Sequence, residues 1–181
     1  NFGQKEETKL ENIMKLQPKR ISTKVDGSLG IVFYDQYQHI ARVSTRGSLN
    51  SDQSQWATQW INNPKNYYET SDYYKFIGHL KTTEYTYLTE IIYKENRIVI
   101  PYNFEGLFFL ARTKKDGTIE HHFEDNHCPI WHSPMEYNLP LNEIMNKVDT
   151  LPWIEEGYVV YFDNDLMVKI KGAEYLKVHK L

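Results

Sequence analysis

Short stretches of alternating or continuous apolar residues, bounded by turn residues, recur along this chain and are typical of β-strands. Examples are "YTYLTEIIY" (residues 85–93) and "GLFFL" (106–110). β-Branched and aromatic residues dominate these stretches, as strands prefer. The pattern predicts strands or pairs of strands in six stretches: residues 22–34, 39–47, 85–93, 97–102, 105–123 and 155–172.

Turn residues divide three of these stretches into predicted hairpins. Asp-Gly is a common hairpin dipeptide, so the stretch 22–34 is predicted to turn at Asp26-Gly27. Similar signals predict turns at Lys115-Asp116-Gly117 and at Asn164-Asp165. Most predicted strands therefore follow one another closely, which favours antiparallel pairing.

Helical signals are fewer and lie between the strands. Residues 50–63 begin with candidate N-cap residues, have helical spacing and are followed by Pro64. Residues 12–16, 72–80 and 141–147 are also predicted to be helical. Strict β-α-β alternation is absent, so the predicted fold class is α+β, with antiparallel sheets and flanking helices.

Composition narrows the class of protein. The 181 residues fit one domain, and 40% hydrophobic and 14% aromatic content indicate a globular chain. No apolar run is long enough for a membrane span, the first residues do not resemble a signal peptide, and the single cysteine, Cys128, suits a reducing compartment. A cytoplasmic protein is therefore expected. The net charge of −3 means that nucleic-acid binding would need a local basic patch.

Lys24, in "TKVDGSLG", raises a chemical question that the predicted turn leaves open. A lysine amine is a nucleophile only when it is neutral, and almost all lysines are protonated at neutral pH. A nucleophilic Lys24 therefore predicts other cations nearby, and carboxylates for a metal ion if the chemistry involves phosphate. The alternative is a solvated lysine beside a turn.

Candidate partners for such a lysine occur at several predicted strands. Lys169 and Lys171 are two residues apart, so their side chains share one strand face. Glu156 precedes a strand, Glu90 lies within one, and Arg46 precedes a glycine in a predicted turn. Each has an ordinary alternative: an exposed strand face, a turn, a cross-strand ion pair or a surface charge.

Taken in order, these residues resemble the motifs of the covalent nucleotidyltransferases, which include RNA ligases, DNA ligases and mRNA capping enzymes. The run "NRIV" (residues 96–99), with "KVDGSLG" and "EGYVVYF", resembles more narrowly the bacteriophage RNA ligase 1 family. The resemblance covers residues 1 to about 175. The motifs are Lys24-Val25-Asp26-Gly27, Arg46-Gly47, Glu90, Glu156-Gly157 and Lys169-Ile170-Lys171.

The resemblance implies an ATP-dependent RNA ligase that works with Mg²⁺ or Mn²⁺ and takes part in RNA repair. It implies that the lysine attacks the α-phosphorus of ATP, that AMP passes to an RNA 5′-phosphate, and that an RNA 3′-hydroxyl then displaces AMP. All these residues should line one pocket between two sheets, with Gly27 and Gly157 allowing the backbone to approach the nucleotide.

The resemblance also implies a role for each matching residue. Lys24 is the nucleophile, Glu90 holds the ribose hydroxyls, and Glu156 is the carboxylate tied to the metal. Lys169 and Lys171 contact the α-phosphate. Arg46 occupies a basic motif position, Val159 lies against one face of adenine, and Phe108 or Leu110 is expected at the other face.

The resemblance further predicts that residues 1–181 form a single adenylyltransferase domain from a longer ligase. Relatives carry a longer upstream run, of which "NFGQ" resembles only the tail, and usually a further carboxyl-terminal domain. Strand sealing would then need a missing or partner domain.

Two other classes of function stay open. One is a capping-type or DNA-ligase nucleotidyltransferase. The other is a non-catalytic nucleic-acid or zinc-binding module, because "HHFEDNHCPIWH" (residues 121–132) groups four histidines with Cys128. The spacing of that cluster fits no paired zinc knuckle, and a loop of partly packed histidines is the simpler interpretation.

Overall fold

The computed structural model describes residues 10–121, 123, 133–163 and 166–181. They form nine β-strands and five α-helices, arranged in two antiparallel sheets. The α+β class predicted from the sequence is therefore confirmed. No helix of these residues is long and apolar enough to cross a membrane.

The chain divides into two compact units. The four-stranded unit comprises Asn1–Asp26, Arg97–Pro101 and Pro134–Leu181, and the five-stranded unit comprises Gly27–Asn96 and Tyr102–Ser133. That residues 1–181 form one adenylyltransferase domain stays a prediction.

The four-stranded unit contains one sheet and three helices. Its strands are β1 (Pro18–Thr23), β7 (Glu136–Tyr137), β8 (Gly157–Phe162) and β9 (Met167–Lys171), in the order β7-β1-β8-β9. Its helices are α1 (Leu10–Ile13), α4 (Leu141–Val148) and α5 (Ala173–His179). Ile13 of α1 and apolar side chains of α4 pack against the sheet, where Ile144 and Val160 are fully buried.

The five-stranded unit has its own core. Its strands are β2 (Ser28–Asp35), β3 (Ile40–Ser44), β4 (Thr86–Ile92), β5 (Gly106–Thr113) and β6 (Ile119–Glu120), in the order β3-β2-β4-β5-β6. Helices α2 (Asp52–Ile61) and α3 (Thr70–Thr82) flank the sheet. The core contains Val32, Phe76, Tyr87 and Phe109 from both layers.

Local signals account for most of these elements. Helix α2 begins where expected, because the Ser51 side chain accepts a hydrogen bond from the Ser54 amide as an N-cap. The turn predicted at Lys115-Asp116-Gly117 joins β5 to β6, and Gly117 has a φ of 90°. Helices α3 and α4 confirm the predictions for 72–80 and 141–147, whereas the helix predicted for 12–16 lies earlier, at Leu10–Ile13. The turn predicted at Asn164-Asp165 lies outside the described residues.

Two predicted elements are wrong, the hairpin at 22–34 and the strand at 97–102. The stretch 22–34 is not a hairpin, because β1 pairs with β7 and β8, whereas β2 pairs with β3 and β4 in the other sheet. Residues 97–102 form no strand. The amides of Val99 and Ile100 instead donate to the Asp26 carboxylate, both at 2.9 Å. Asp26, which the sequence predicts to be a turn residue, therefore holds the backbone of the segment predicted to be a strand.

Candidate active site on the four-stranded sheet

One face of the four-stranded sheet brings together candidate site residues of β8 and β9. Val159 of β8 pairs with Ser22 of β1 on one side and with Lys169 of β9 on the other. Directly paired residues point to the same face of a sheet. Lys171 pairs with Gly157, two positions further along, and so shares that face, as predicted. The alternate residues, such as Val168 and Ile170, are buried in the core behind.

Lys24 directly follows β1 and stays beside β8. Its backbone amide donates to the Gly157 carbonyl at 2.9 Å, so the chain is still fixed at this position. Its Nζ lies 2.8 Å from Glu156 Oε1, and its side chain is 18% exposed. Lys24 is therefore fixed at the end of a strand, and its amine is partly buried beside Glu156. It is not a fully solvated lysine beside a turn.

Glu156 is the centre of this cluster. Its side chain is 3% exposed, and Oε1 also lies 3.8 Å from Lys171 Nζ. Burial raises the pKa of Glu156, while its contacts with Lys24 and Lys171 act in the opposite direction. The second oxygen, Oε2, is buried and has no hydrogen-bond partner among the described residues. A buried carboxylate oxygen without a partner is costly unless a ligand completes it.

Gly157 is required by the strand packing next to Glu156. It has a φ of 145°, and an added Cβ would lie 1.9 Å from the Ile170 carbonyl oxygen. Gly27 shows a similar restriction in the other unit, where a Cβ would lie 2.6 Å from the Ile91 carbonyl oxygen. Both glycines thus allow the backbones of neighbouring strands to approach closely.

Asp26 is a further residue of this region whose role the sequence does not reveal. It is 6% exposed. Besides the two backbone amides of residues 99 and 100, its carboxylate accepts a hydrogen bond from the Tyr175 hydroxyl at 2.9 Å. These partners are 73 to 149 residues away in sequence, so no local pattern could identify them. Asp26 fixes the chain two residues after Lys24.

The remaining candidate residues belong to the five-stranded unit. Glu90 lies in β4, paired with Leu29 of β2 and Phe108 of β5, so these three side chains share a face. Leu110 lies where the β4–β5 register shifts and has no partner in the pairing. Of the two residues proposed for adenine, Phe108 is therefore the one directly beside Glu90.

Arg46 is exposed in a turn between β3 and α2 of the same unit, where Thr45 and Ser48 exchange backbone hydrogen bonds. Lys24, Glu156, Val159, Lys169 and Lys171 thus lie together in one unit, while Glu90 and Arg46 lie in the other. That all of them line one pocket stays a prediction.

Of the four histidines and one cysteine between residues 121 and 132, only His121 lies among the described residues. Within the described ranges, no group of three or more histidine, cysteine, aspartate or glutamate side chains could hold a metal ion. A zinc site at residues 121–132 is therefore untested.

Comparison with known proteins identifies a similar fold. The chain is similar to a solved RNA ligase structure from Naegleria gruberi with PPi, with a TM-score of 0.55 and 16% sequence identity. The match covers 89% of this chain and 51% of the solved chain, so this chain spans about half the length of that ligase. No protein-family description and no curated protein matches the sequence. At this identity the likeness shows a fold of the RNA ligase type.

Proposed function

We propose that this chain is the adenylyltransferase part of an ATP-dependent RNA ligase similar to the bacteriophage RNA ligase 1 family. The observation that supports it most is the Lys24 amine 2.8 Å from a buried Glu156, with Lys171 at the same carboxylate oxygen. This arrangement occurs in a fold similar to that of an RNA ligase. An ordinary surface lysine beside a turn would need none of these neighbours.

The first step is attack on ATP. The neutral Nζ of Lys24 forms a bond to the α-phosphorus, and the bond from that phosphorus to the bridging oxygen breaks. Pyrophosphate leaves with the bonding electrons, and the amine loses a proton. Lys169 and Lys171, on the face beside Lys24, stabilise the negative charge that develops on the phosphate and on the leaving group.

Glu156 is the counter-ion of Lys24. Attack on phosphorus needs a neutral amine, so the negative charge of Glu156 must be engaged elsewhere when ATP is bound. Its second oxygen is buried and lacks a partner among the described residues, which fits a hard cation such as Mg²⁺ or Mn²⁺. A divalent cation there would neutralise phosphate charge. Glu156 is the proposed metal residue.

The other unit supplies the proposed nucleoside contacts. Glu90 accepts hydrogen bonds from the ribose hydroxyls, and Phe108, directly beside it on β5, stacks on one face of adenine. Val159 contacts the other face from β8. Arg46, exposed in its turn, contributes positive charge to the bound nucleotide or RNA.

Two steps that involve RNA complete the reaction. An oxygen of the RNA 5′-phosphate attacks the α-phosphorus of the adenylate, the N–P bond breaks, and Lys24 regains a proton. The 3′-hydroxyl of a second RNA end then attacks the activated 5′-phosphate, forms the phosphodiester and releases AMP. The RNA partner therefore carries 5′-phosphate and 3′-hydroxyl ends, and a further domain takes part where sealing requires it.

A labelling experiment tests this proposal and separates it from its rivals. The protein is incubated with Mg²⁺ and either ATP or GTP labelled at the α-phosphate, and protein-bound nucleotide is measured after denaturation. We expect label from ATP alone, and its transfer to a 5′-phosphorylated RNA added afterwards. Label from GTP would favour a capping-type enzyme, transfer to nicked DNA alone a DNA ligase, and no label from either nucleotide a non-catalytic module.

A further inference from the structure

A cavity lies within the five-stranded unit, at the end of its sheet. It has a volume of about 520 Å³, and residues from the end of β2, the start of β4, the end of α3 and the β5–β6 turn line it. This size falls in the range of small-ligand sites, roughly 300–1,000 Å³. None of the proposed nucleotide-site residues lines it.

The charges around this cavity leave a surplus of cations. Lys81, Lys114 and Lys115 line it, together with two carboxylates, those of Glu84 and Asp116. Lys114 is paired with Glu84 at 3.2 Å. The Asp116 carboxylate accepts a hydrogen bond from the Thr118 amide at 2.8 Å.

The other two lysines have different surroundings. In the described parts of the chain, no carboxylate lies within ion-pair distance of Lys81 or Lys115, and both are exposed. Lys81 lies over the ring of Tyr34, with Nζ 5.6 Å from the ring centroid. Among the described residues, the cavity therefore presents two ammonium groups that have no carboxylate partner, and one of them, that of Lys81, lies over an aromatic ring.

Positive charge next to aromatic rings is the chemistry that binds single-stranded nucleic acid. Lysines contact the phosphates, and aromatic rings stack on bases without regard to sequence. Tyr34 and Phe33 provide rings at this cavity, whereas the ring of Tyr85 is already covered by the Arg112 guanidinium at 3.9 Å. Since the whole chain has a net charge of −3, RNA binding needs a local basic surface of this kind.

We propose that this cavity binds a single-stranded segment of the RNA substrate, with phosphates at Lys81 and Lys115 and a base against Tyr34. The inference rests on the proposed function for the identity of the strand. Thr86, in the cavity wall, and Glu90 are four residues apart on β4, or about 13 Å at the rise of a strand. The cavity therefore holds RNA away from the proposed ribose contact and assists only the steps that use RNA.

The test is RNA binding by the full chain, measured as the fluorescence anisotropy of a short 5′-phosphorylated single-stranded RNA across a series of salt concentrations. The variant carries Lys81→Ala and Lys115→Ala. Its control carries Lys65→Ala and Lys75→Ala, which remove two exposed lysines of the same unit that do not line the cavity. We expect a dissociation constant about tenfold higher, and a log–log salt slope smaller by about 1.4, in the cavity variant alone.

A charge-conserving variant, Lys81→Arg with Lys115→Arg, should bind RNA at least as tightly as the wild type. Equal losses in the cavity variant and in the control would overturn the inference, as would an unchanged dissociation constant. Tighter, lysine-dependent binding of a polyglutamate peptide than of RNA would replace it with an acidic protein partner.

Protein-bound AMP, measured in parallel, keeps this inference separate from the proposed function. The cavity variant should form it at the normal rate, because that step needs no RNA. If the wild type forms protein-bound AMP but the cavity variant binds RNA normally, the inference fails and the proposed function stands. If the wild type forms no protein-bound AMP, the proposed function fails, and the anisotropy measurement still decides whether the cavity binds the strand.

Discussion

The two sheets differ in the chemistry of the face that turns away from their own cores. On the four-stranded sheet this face carries Lys169 and Lys171, and the buried carboxylate of Glu156 lies at its end beside Lys24. On the five-stranded sheet the corresponding face carries the Glu90 carboxylate, flanked by an aliphatic and an aromatic side chain. The first combination suits phosphate chemistry, and the second suits a nucleoside.

If the chain is a nucleotidyltransferase, this difference would give phosphate chemistry to one sheet and nucleoside binding to the other. Changes on the four-stranded sheet should affect the rate of bond formation, because they alter charge at the reacting phosphate. Changes on the five-stranded sheet should affect nucleotide affinity and selectivity.

Gly157→Ala should destabilise the four-stranded unit most. The new Cβ would lie 1.9 Å from the Ile170 carbonyl oxygen, at a φ of 145°. We expect a loss of about 3 kcal/mol or more in the free energy of unfolding, measured in urea. Gly78→Ala in α3 is the control, because nothing lies within 4 Å of its added Cβ. That change should stabilise the protein by about 0.5–1 kcal/mol; equal effects would refute the steric argument.

Lys169→Ala and Lys171→Ala should each slow protein-bound AMP formation by about 10²-fold at unchanged melting temperature. The loss of rate should be larger for Lys171→Ala, because Lys171 shares the Glu156 oxygen with Lys24. Single-turnover rates, with thermal melts alongside, measure both quantities. Lys177→Ala, an exposed lysine of α5, should change nothing, and a similar loss there would point to general charge effects.

Glu90→Gln should weaken ATP binding more than catalysis. Loss of a charged acceptor for the ribose hydroxyls should raise KM for ATP by about tenfold or more, with a smaller change in kcat. Discrimination between ATP and 2′-deoxyATP should fall with it. Glu95→Gln, an exposed carboxylate of the same unit, serves as the control. A lower kcat with unchanged KM would place Glu90 beside the reacting phosphate. It would then contradict the assignment of nucleoside binding to the five-stranded sheet.

The smallest effect concerns acid stability of the five-stranded unit. The hydrogen bond from Arg112 Nε, at 2.7 Å, lowers the pKa of Glu120. A carboxyl group whose pKa is lowered in the folded protein stabilises the fold fully at a pH above its ordinary pKa, which is 4.5 here. That contribution is lost as the pH falls further. Glu120→Gln should therefore melt slightly below the wild type near neutral pH and at the same temperature in strong acid. A difference that persists in acid would contradict the ionic explanation.

Much of the fold and of the cluster follows from local sequence. Strand periodicity places Lys169 and Lys171 on one face, and the cap at Ser51 fixes the start of α2. Long-range hydrogen bonds do not leave such a pattern. Asp26-Gly27 has the sequence of a hairpin turn, yet its carboxylate binds Val99, Ile100 and Tyr175, and the two neighbouring strands enter different sheets.

The "NRIV" run illustrates the same limit. Its Asn96 side chain donates to the Ser28 hydroxyl at 2.9 Å and accepts from the Gln53 side chain at 3.1 Å. These bonds tie the end of β4 to the start of β2 and to helix α2. The sequence identifies this run only by resemblance, because its partners lie 43 and 68 residues away.

Mapping the AMP adduct tests most directly whether Lys24 is the nucleophile. The protein is incubated with ATP and Mg²⁺, digested and analysed by mass spectrometry, alongside Lys24→Ala and the exposed-lysine control Lys19→Ala. We expect AMP on Lys24 in the wild type and in the control, and no adduct in Lys24→Ala at an unchanged melting temperature. A normal yield of adduct in Lys24→Ala, or AMP on another lysine of the wild type, would contradict it.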